Sequence, residues 1–322
     1  MTQPVAKGAP APETVPMTAD HPAPSAPATP DVICIGAMLW DVIGRSPRAM
    51  TQGQDVPGRI RHIPGGVALN VAMAIHRWGM TPAILSAVGR DAEGEALIAS
   101  SRAMGVVTDY LCRDGGPTDV YMAIEDCNGL IAAIADAHSL EDAGERVLAP
   151  LRDGRLASAR APWGGIAVID GNLTETQLAG IRDEPGLAGT DLRIVPASPG
   201  KAGRLAPLIG APRGCFYINR FEAEVLAGRA LGSAPDAAQA MLDLGMHRVI
   251  VTDGAALVAE GLAGGDLLRL TPPEVTITRV TGAGDCFLAA HLAAERAGCD
   301  RERALTRATL AAAAHVSGKD MP

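Results

Sequence analysis

Apolar residues fall along the chain in short dense runs, separated by longer stretches in which they recur with a helical period. The first run, residues 31–36 (DVICIG), is almost continuously apolar and closes on glycine, which predicts a strand buried on both faces. Runs of the same kind at 83–88, 165–170, 192–197, 215–219 and 248–252 predict further central strands. Between them, apolar positions 71, 74, 75 and 78 followed by Gly79 predict an amphipathic helix, and residues 92–104, ending at Gly105, a second. Stretches 221–226, 235–244 and 286–297 read as helices too. Strands alternating with helices argue for an α/β fold, a parallel sheet covered on both faces.

One region breaks the alternation. Residues 118–125 and 130–136 are strand-like and flank a turn containing Asn128-Gly129, a strong hairpin signal. With residues 57–63 they predict a small β-layer outside the main sheet, a lid drawn from about 57–63 and 106–136. Its natural position is over the carboxyl ends of the strands, where open α/β sheets bind ligands. A β-branched run at 275–280 predicts one more strand, leading into the turn at Gly282.

Composition narrows the partners. Of 322 residues 48% are hydrophobic but only 3% aromatic, so Ala, Val, Leu and Ile must fill the core. A formal net charge of -8 disfavours nucleic acid and anionic membrane surfaces, so an anionic ligand must be met locally. The six cysteines form no CxxC pair and the seven histidines no HxxxH pair, which gives a zinc site no support and predicts free thiols in a reducing cytoplasm. No stretch reaches the roughly 18 consecutive apolar residues of a membrane span. Residues 1–30 are rich in Pro and Ala and lack the basic and apolar regions of a signal peptide; they read as a disordered tail ahead of a domain spanning 31–322.

Candidate chemistry concentrates on glycine turns. Gly282-Ala283-Gly284-Asp285 precedes a helix, where backbone N–H groups and the helix dipole favour an anion and Asp285 would sit beside it. The same tetrapeptide also fits an ordinary glycine turn with an aspartate near a helix N-terminus. Gly65-Gly66 lets backbone approach a ligand, and Asn70 offers donor and acceptor to a hydroxyl. Asp41, just beyond the first strand, reads either as an acceptor for vicinal hydroxyls or as a solvated loop residue. The stretch Gly36 to Asp41 lacks the GxGxxG spacing of a dinucleotide site.

Gly65-Gly66 with Asn70, Asn219-Arg220-Phe221-Glu222 and Gly282-Ala283-Gly284-Asp285, in that order, resemble the ribokinase-like (PfkB) carbohydrate kinases, from about Val32 to the C-terminus. Within that family four passages resemble pseudouridine kinases: 65–72; 118–121 with 129–136; 170–173; and 196–201. The resemblance implies a ribokinase-like three-layer α/β/α fold with a mostly parallel central sheet and a small β-sheet lid. It implies ATP-dependent phosphorylation of a nucleoside 5′-hydroxyl, with ribokinase or an inosine, guanosine or adenosine kinase as the nearest alternatives and a nucleoside-binding pseudokinase as the non-enzyme one. Asp285 would be the base, an ordinary aspartate needing no tuning, with Gly282, Ala283 and Gly284 as the anion hole. Asp41, Gly65, Gly66, Asn70 and Asn172 would hold the ribose, and Thr118, Tyr121 and Asp136 would sense the base. Lys201, Asn219, Thr252 and Gly254, with Gly282 and Gly284, would contact ATP. Glu222 and Asn219 would hold Mg²⁺ through water, and the resemblance extends to a monovalent cation such as K⁺ and to a homodimer. Two departures stand out: Arg279-Val280 where most of the family has Asp-Thr, and a short Val251-Thr252-Asp253-Gly254-Ala255 where many relatives carry a longer glycine-rich loop.

Overall fold

Strand β1 (Val32–Ile35) has its side chains buried on both faces, as its unbroken apolar run requires. It lies between β4 (Pro82–Leu85) and β7 (Ile166–Asp170) and runs parallel to both. The sheet continues in parallel through β8 (Asp191–Val195), β9 (Gly214–Asn219) and β10 (Arg248–Thr252), then ends on antiparallel β11 (Val258–Leu262) and β12 (Leu268–Leu270). This computed structural model describes residues 29–114 and 116–319, so the predicted tail lies, but for its last two residues, outside the described residues.

Alternation along β1 divides the core. Val32 and Cys34 pack with Leu69 and Ile75 of α1 (Val67–Arg77), Leu97 of α2 (Ala92–Ala103), Leu288 of α7 (Ala283–Arg296) and Leu305 of α8 (Arg301–Val316). Ile33 and Ile35 join the cluster on the opposite face, with α3 (His138–Ala143), α4 (Glu175–Arg182), α5 (Arg220–Ala227) and α6 (Ala234–Asp243). The result is three layers, α/β/α. Each fully buried Leu or Ile contributes about 1.5–3 kcal/mol relative to exposure.

A separate four-stranded sheet runs in the order β3 (Arg59–Gly65), β2 (Leu39–Arg45), β5 (Val120–Asp126), β6 (Gly129–Asp136). Strand β2 was not expected from the sequence: its stretch LWDVIGR holds too little alternation to announce a strand. It follows β1 after the turn at Gly36, so the chain leaves the main sheet at its carboxyl edge and enters the second one directly. Asp41 therefore lies on a strand, not in a loop.

Two expectations need correction. Residues 106–112 run beside the main sheet: Val107 bridges Ala83 and Cys112 bridges Ala87, both in parallel. The second sheet takes up the chain only at Val120. Residues 275–280 form no strand, and Val275, Ile277 and Val280 are exposed. The main sheet has already ended at β12, and β-branched residues without a neighbouring strand gain nothing from extension. The segment is tied instead to the end of α8, where the N–H groups of Thr278 and Arg279 donate to the Val316 carbonyl.

Candidate active site

Gly282 caps the start of helix α7, and its φ of 82° is left-handed, a conformation that favours glycine. The Ala283 N–H donates to the Val280 carbonyl at 3.1 Å, which withdraws it from the expected anion hole. The N–H groups of Gly282 and Gly284 show no acceptor outside the helix among the described residues. His315 of α8 braces this turn, its Nε2 2.8 Å from the Thr281 carbonyl, and Arg279 Nε donates to the His315 carbonyl at 2.9 Å. At the other end of α7, Glu295 pairs with Arg193 of β8 at 2.7 Å and Arg248 of β10 at 2.6 Å, while the Tyr217 hydroxyl meets His291 Nδ1 at 2.9 Å. Burial pushes His291 down to about 3, so it stays neutral. The helix is thus held at both ends, and the position of Asp285 with it.

Asp285 stands half-buried in the first turn of α7. Loss of water, then the negative charge of nearby Asp170, push its carboxyl up to about 7. The expectation of an untuned base is therefore corrected: Asp285 is poised near neutrality, where a general base is most effective. Were Asp285 to serve as a general base it would have to be ionised, and kcat/KM, which reports the free enzyme, would then be expected to fall about tenfold per unit as pH drops below about 7. A flat profile between pH 5.5 and 8 would deny Asp285 that role.

The two glycines of the β3–α1 turn are explained by what lies against them. A Cβ on Gly65 would collide with the Asp41 carboxylate, and one on Gly66 (φ 92°) with the Ala37 carbonyl. Asp41 thereby rests over the backbone that starts α1, and burial pushes its carboxyl up to about 6. Asn70 follows within the first turn of the same helix. Beneath this turn lies a residue to which sequence reasoning gave no role, Asp170, fully buried at the end of β7. Its Oδ2 accepts the N–H of Ala37 at 2.8 Å and of Ala68 at 2.9 Å, and its Oδ1 accepts that of Asn172 at 2.7 Å. One carboxylate thus joins the turn after β1, the start of α1 and the end of β7. The signal was present in the sequence, as an acidic residue closing an otherwise apolar strand.

Further along the carboxyl edge, Lys201 Nζ donates to Asn172 Oδ1 at 2.8 Å, joining a residue expected at the sugar to one expected at the nucleotide. Asn219 and Thr252 end neighbouring strands in register, and Gly254 follows in a turn with φ 57°. Asn219 and Glu222 form a capping box: the Asn219 N–H donates to Glu222 Oε2 at 2.8 Å and the Glu222 N–H to Asn219 Oδ1 at 3.0 Å. That arrangement occupies Oε2 of Glu222. Among the described residues no group of three or more His, Cys, Asp or Glu is placed to enclose a metal.

Of the three residues expected to sense the base, only Tyr121 is brought beside Asp41. Thr118 donates its hydroxyl and N–H to Asp91, the N-cap of α2. Tyr121 pairs with Asp41 across β5 and β2 and shares its face. Asp136 pairs with Val120, one residue out of phase, and so lies on the opposite face of the second sheet.

The profile of the pfkB family carbohydrate kinases matches residues 29–144 and 172–320. The pseudouridine kinase of Escherichia coli (strain K12) is 30% identical over 263 residues, covering 80% of this chain and 81% of that one. Among solved structures, a carbohydrate kinase from Agrobacterium tumefaciens superposes with a TM-score of 0.73 at 27% identity, over 88% of this chain and 89% of that one. Arabidopsis thaliana ribokinase complexed with ribose and ATP shares the fold, with a TM-score of 0.70 at 19% identity over 90% and 93% of the two chains. The chain belongs to the pfkB family of carbohydrate kinases, as an ATP-dependent kinase acting on a sugar or nucleoside.

Proposed function

We propose that the chain transfers the γ-phosphoryl group of ATP to the 5′-hydroxyl of pseudouridine. The observation that carries the substrate is the 30% identity, over four fifths of both chains, with the pseudouridine kinase of Escherichia coli. Asp41, the Gly65-Gly66 turn and Asn70 hold the ribose, with Asn172 at its edge. The Asp285 carboxylate takes the hydroxyl proton as the oxygen bonds to the γ-phosphorus; the bond from that phosphorus to the β,γ-bridging oxygen breaks and ADP leaves with its electron pair. Asp285 then returns its proton to solvent. The Gly282 and Gly284 N–H groups and the helix dipole meet the charge on the transferred group. Lys201, Thr252 and Gly254 border the nucleotide, and the second sheet closes over the sugar as a lid.

Mg²⁺, when bound, offsets the triphosphate charge, and the free oxygen of Glu222 with Asn219 would hold it through water. Glu222→Gln is expected to raise the Mg²⁺ concentration needed for half-maximal rate severalfold; an unchanged titration removes Glu222 from that shell. K⁺ belongs to the same reading, and equal rates in potassium and tetramethylammonium salts would exclude it. A homodimer joined through the second sheet is supported by Ile60 (72% exposed) and Ile134 (69%), which lie with Met122 on the face opposite Asp41; a monomer in sedimentation equilibrium would overturn it.

The substrate is tested by coupled ADP detection with pseudouridine, uridine, inosine, guanosine, adenosine and ribose. Pseudouridine is expected to give the highest kcat/KM by at least tenfold. An equal or higher value for another member of the panel overturns the assignment.

A further inference from the structure

A cavity of about 740 Å³ lies at the outer part of the second sheet, and its walls include Ile43, Arg45, Arg59, Arg61, Ile63 and Glu125. Successive strand residues point to opposite faces, and these six share one phase. Register sets Ile43 beside Arg61, and Arg45 between Arg59 and Glu125. The next position inward on β2 in the same phase is Asp41, paired with Ile63 and Tyr121. The out-of-phase residues turn away: His62 lies against the Trp40 ring, and Val42 packs on the core. The cavity therefore opens on the face of the sheet that carries Asp41 and starts one pair outward from it, about 7 Å along the strand.

That offset is close to the length of a furanose ring with its substituent. A sugar held at Asp41 with its primary hydroxyl toward Asp285 presents its other end to Ile43, Ile63 and Arg61. The two isoleucines offer an apolar floor to a flat ring. Arg45 is paired with Glu125 at 3.1 Å, whereas Arg61 and Arg59 have no ion-pair partner among the described residues. A guanidinium carries five N–H donors and no acceptor. It matches a ring edge bearing carbonyl oxygens and leaves an exocyclic amine without a partner.

We propose that this cavity is the aglycone subsite and that Arg61 selects a planar base with carbonyl oxygens over an amino-bearing base or a bare sugar. The proposal rests on the reading above, in which Asp41 holds the ribose. It places base recognition on β2 and β3, not on the Thr118 and Asp136 expected from the sequence.

The test compares wild type with Arg61→Met and Arg61→Lys, using pseudouridine, adenosine and ribose as substrates. Arg61 is exposed, so the variants are expected to melt with the wild type. In Arg61→Met the KM for pseudouridine is expected to rise at least tenfold with kcat within twofold, and the pseudouridine-to-ribose ratio of kcat/KM to fall at least tenfold. Arg61→Lys, which keeps the charge without the planar fork, is expected to fall between. If wild type turns over pseudouridine and the pseudouridine-to-ribose and pseudouridine-to-adenosine ratios of kcat/KM both stay within twofold in Arg61→Met, the subsite is overturned while the substrate stands. If wild type turns over ribose alone, the substrate assignment fails and the subsite with it.

Discussion

Asp285→Asn is expected to lower kcat by about 10² to 10⁴-fold, the usual contribution of a general base, with KM for the acceptor within about threefold. The substitution keeps shape and volume and removes only the site that takes the proton. Because the interaction lost exists in the transition state and not in the bound ground state, the loss belongs in kcat. A second readout separates chemistry from folding. Asp285 has its carboxyl raised by burial above its unfolded value, so the folded protein gives up stability as pH rises from about 4 through about 7 and the buried charge develops. Asparagine carries no such charge, and Asp285→Asn is expected to melt above the wild type at pH 8 while being nearly inactive. Wild-type turnover in this variant would remove Asp285 from the reaction, whatever the melting curve shows.

The tuning of Asp285 shows where sequence reading stops. Its place after Gly282 and at the head of an apolar helix was legible, because glycine spacing and helical periodicity are local. Its raised pKa was not, because burial and the charge of Asp170 come from β7 and the packing of α7, more than a hundred residues apart in the chain. The central strands were legible for the same local reason: β1 and β7 to β10 are dense apolar runs. Strand β2 was missed because Leu39–Arg45 owes its extension to partners on both sides, β3 and β5. The opposite error occurred at 275–280, where β-branched residues met no partner strand. Register decided the remaining cases. Tyr121 and Asp136 look alike as hairpin residues in sequence, yet pairing sends Tyr121 to the face of Asp41 and Asp136 to the other. The Asp-Gly-Asn passage at 170–172 resembles pseudouridine kinases and points to Asn172 as the ribose contact, yet Asp170 is the residue that joins the turn after β1, the start of α1 and the end of β7.

Removing that joint is expected to have the largest effect on stability of any single change in the site. Asp170→Ala leaves the buried N–H groups of Ala37 and Ala68, and the half-buried one of Asn172, without their acceptor, and each N–H left unsatisfied away from water costs about 1–3 kcal/mol. The sum is comparable with the whole stability of many domains, about 5–15 kcal/mol, so Asp170→Ala is expected to be recovered largely unfolded or with a melting temperature lowered by many degrees. Asp170→Asn is the informative companion. Its oxygen can take the Oδ2 position, where Ala37 and Ala68 donate, but its amide NH₂ then faces the N–H of Asn172, so about one hydrogen bond is lost instead of three. The expected order of melting temperatures is wild type, then asparagine, then alanine. Asp170→Asn also removes one of the two causes that raise the Asp285 carboxyl, so the midpoint of its kcat/KM profile is expected to move to lower pH. A purely structural residue would lower the melting temperature and leave that midpoint in place. An alanine variant that melts with the wild type would show that Asp170 does not hold the cradle, and an asparagine variant with an unshifted midpoint would show that it does not act on the base.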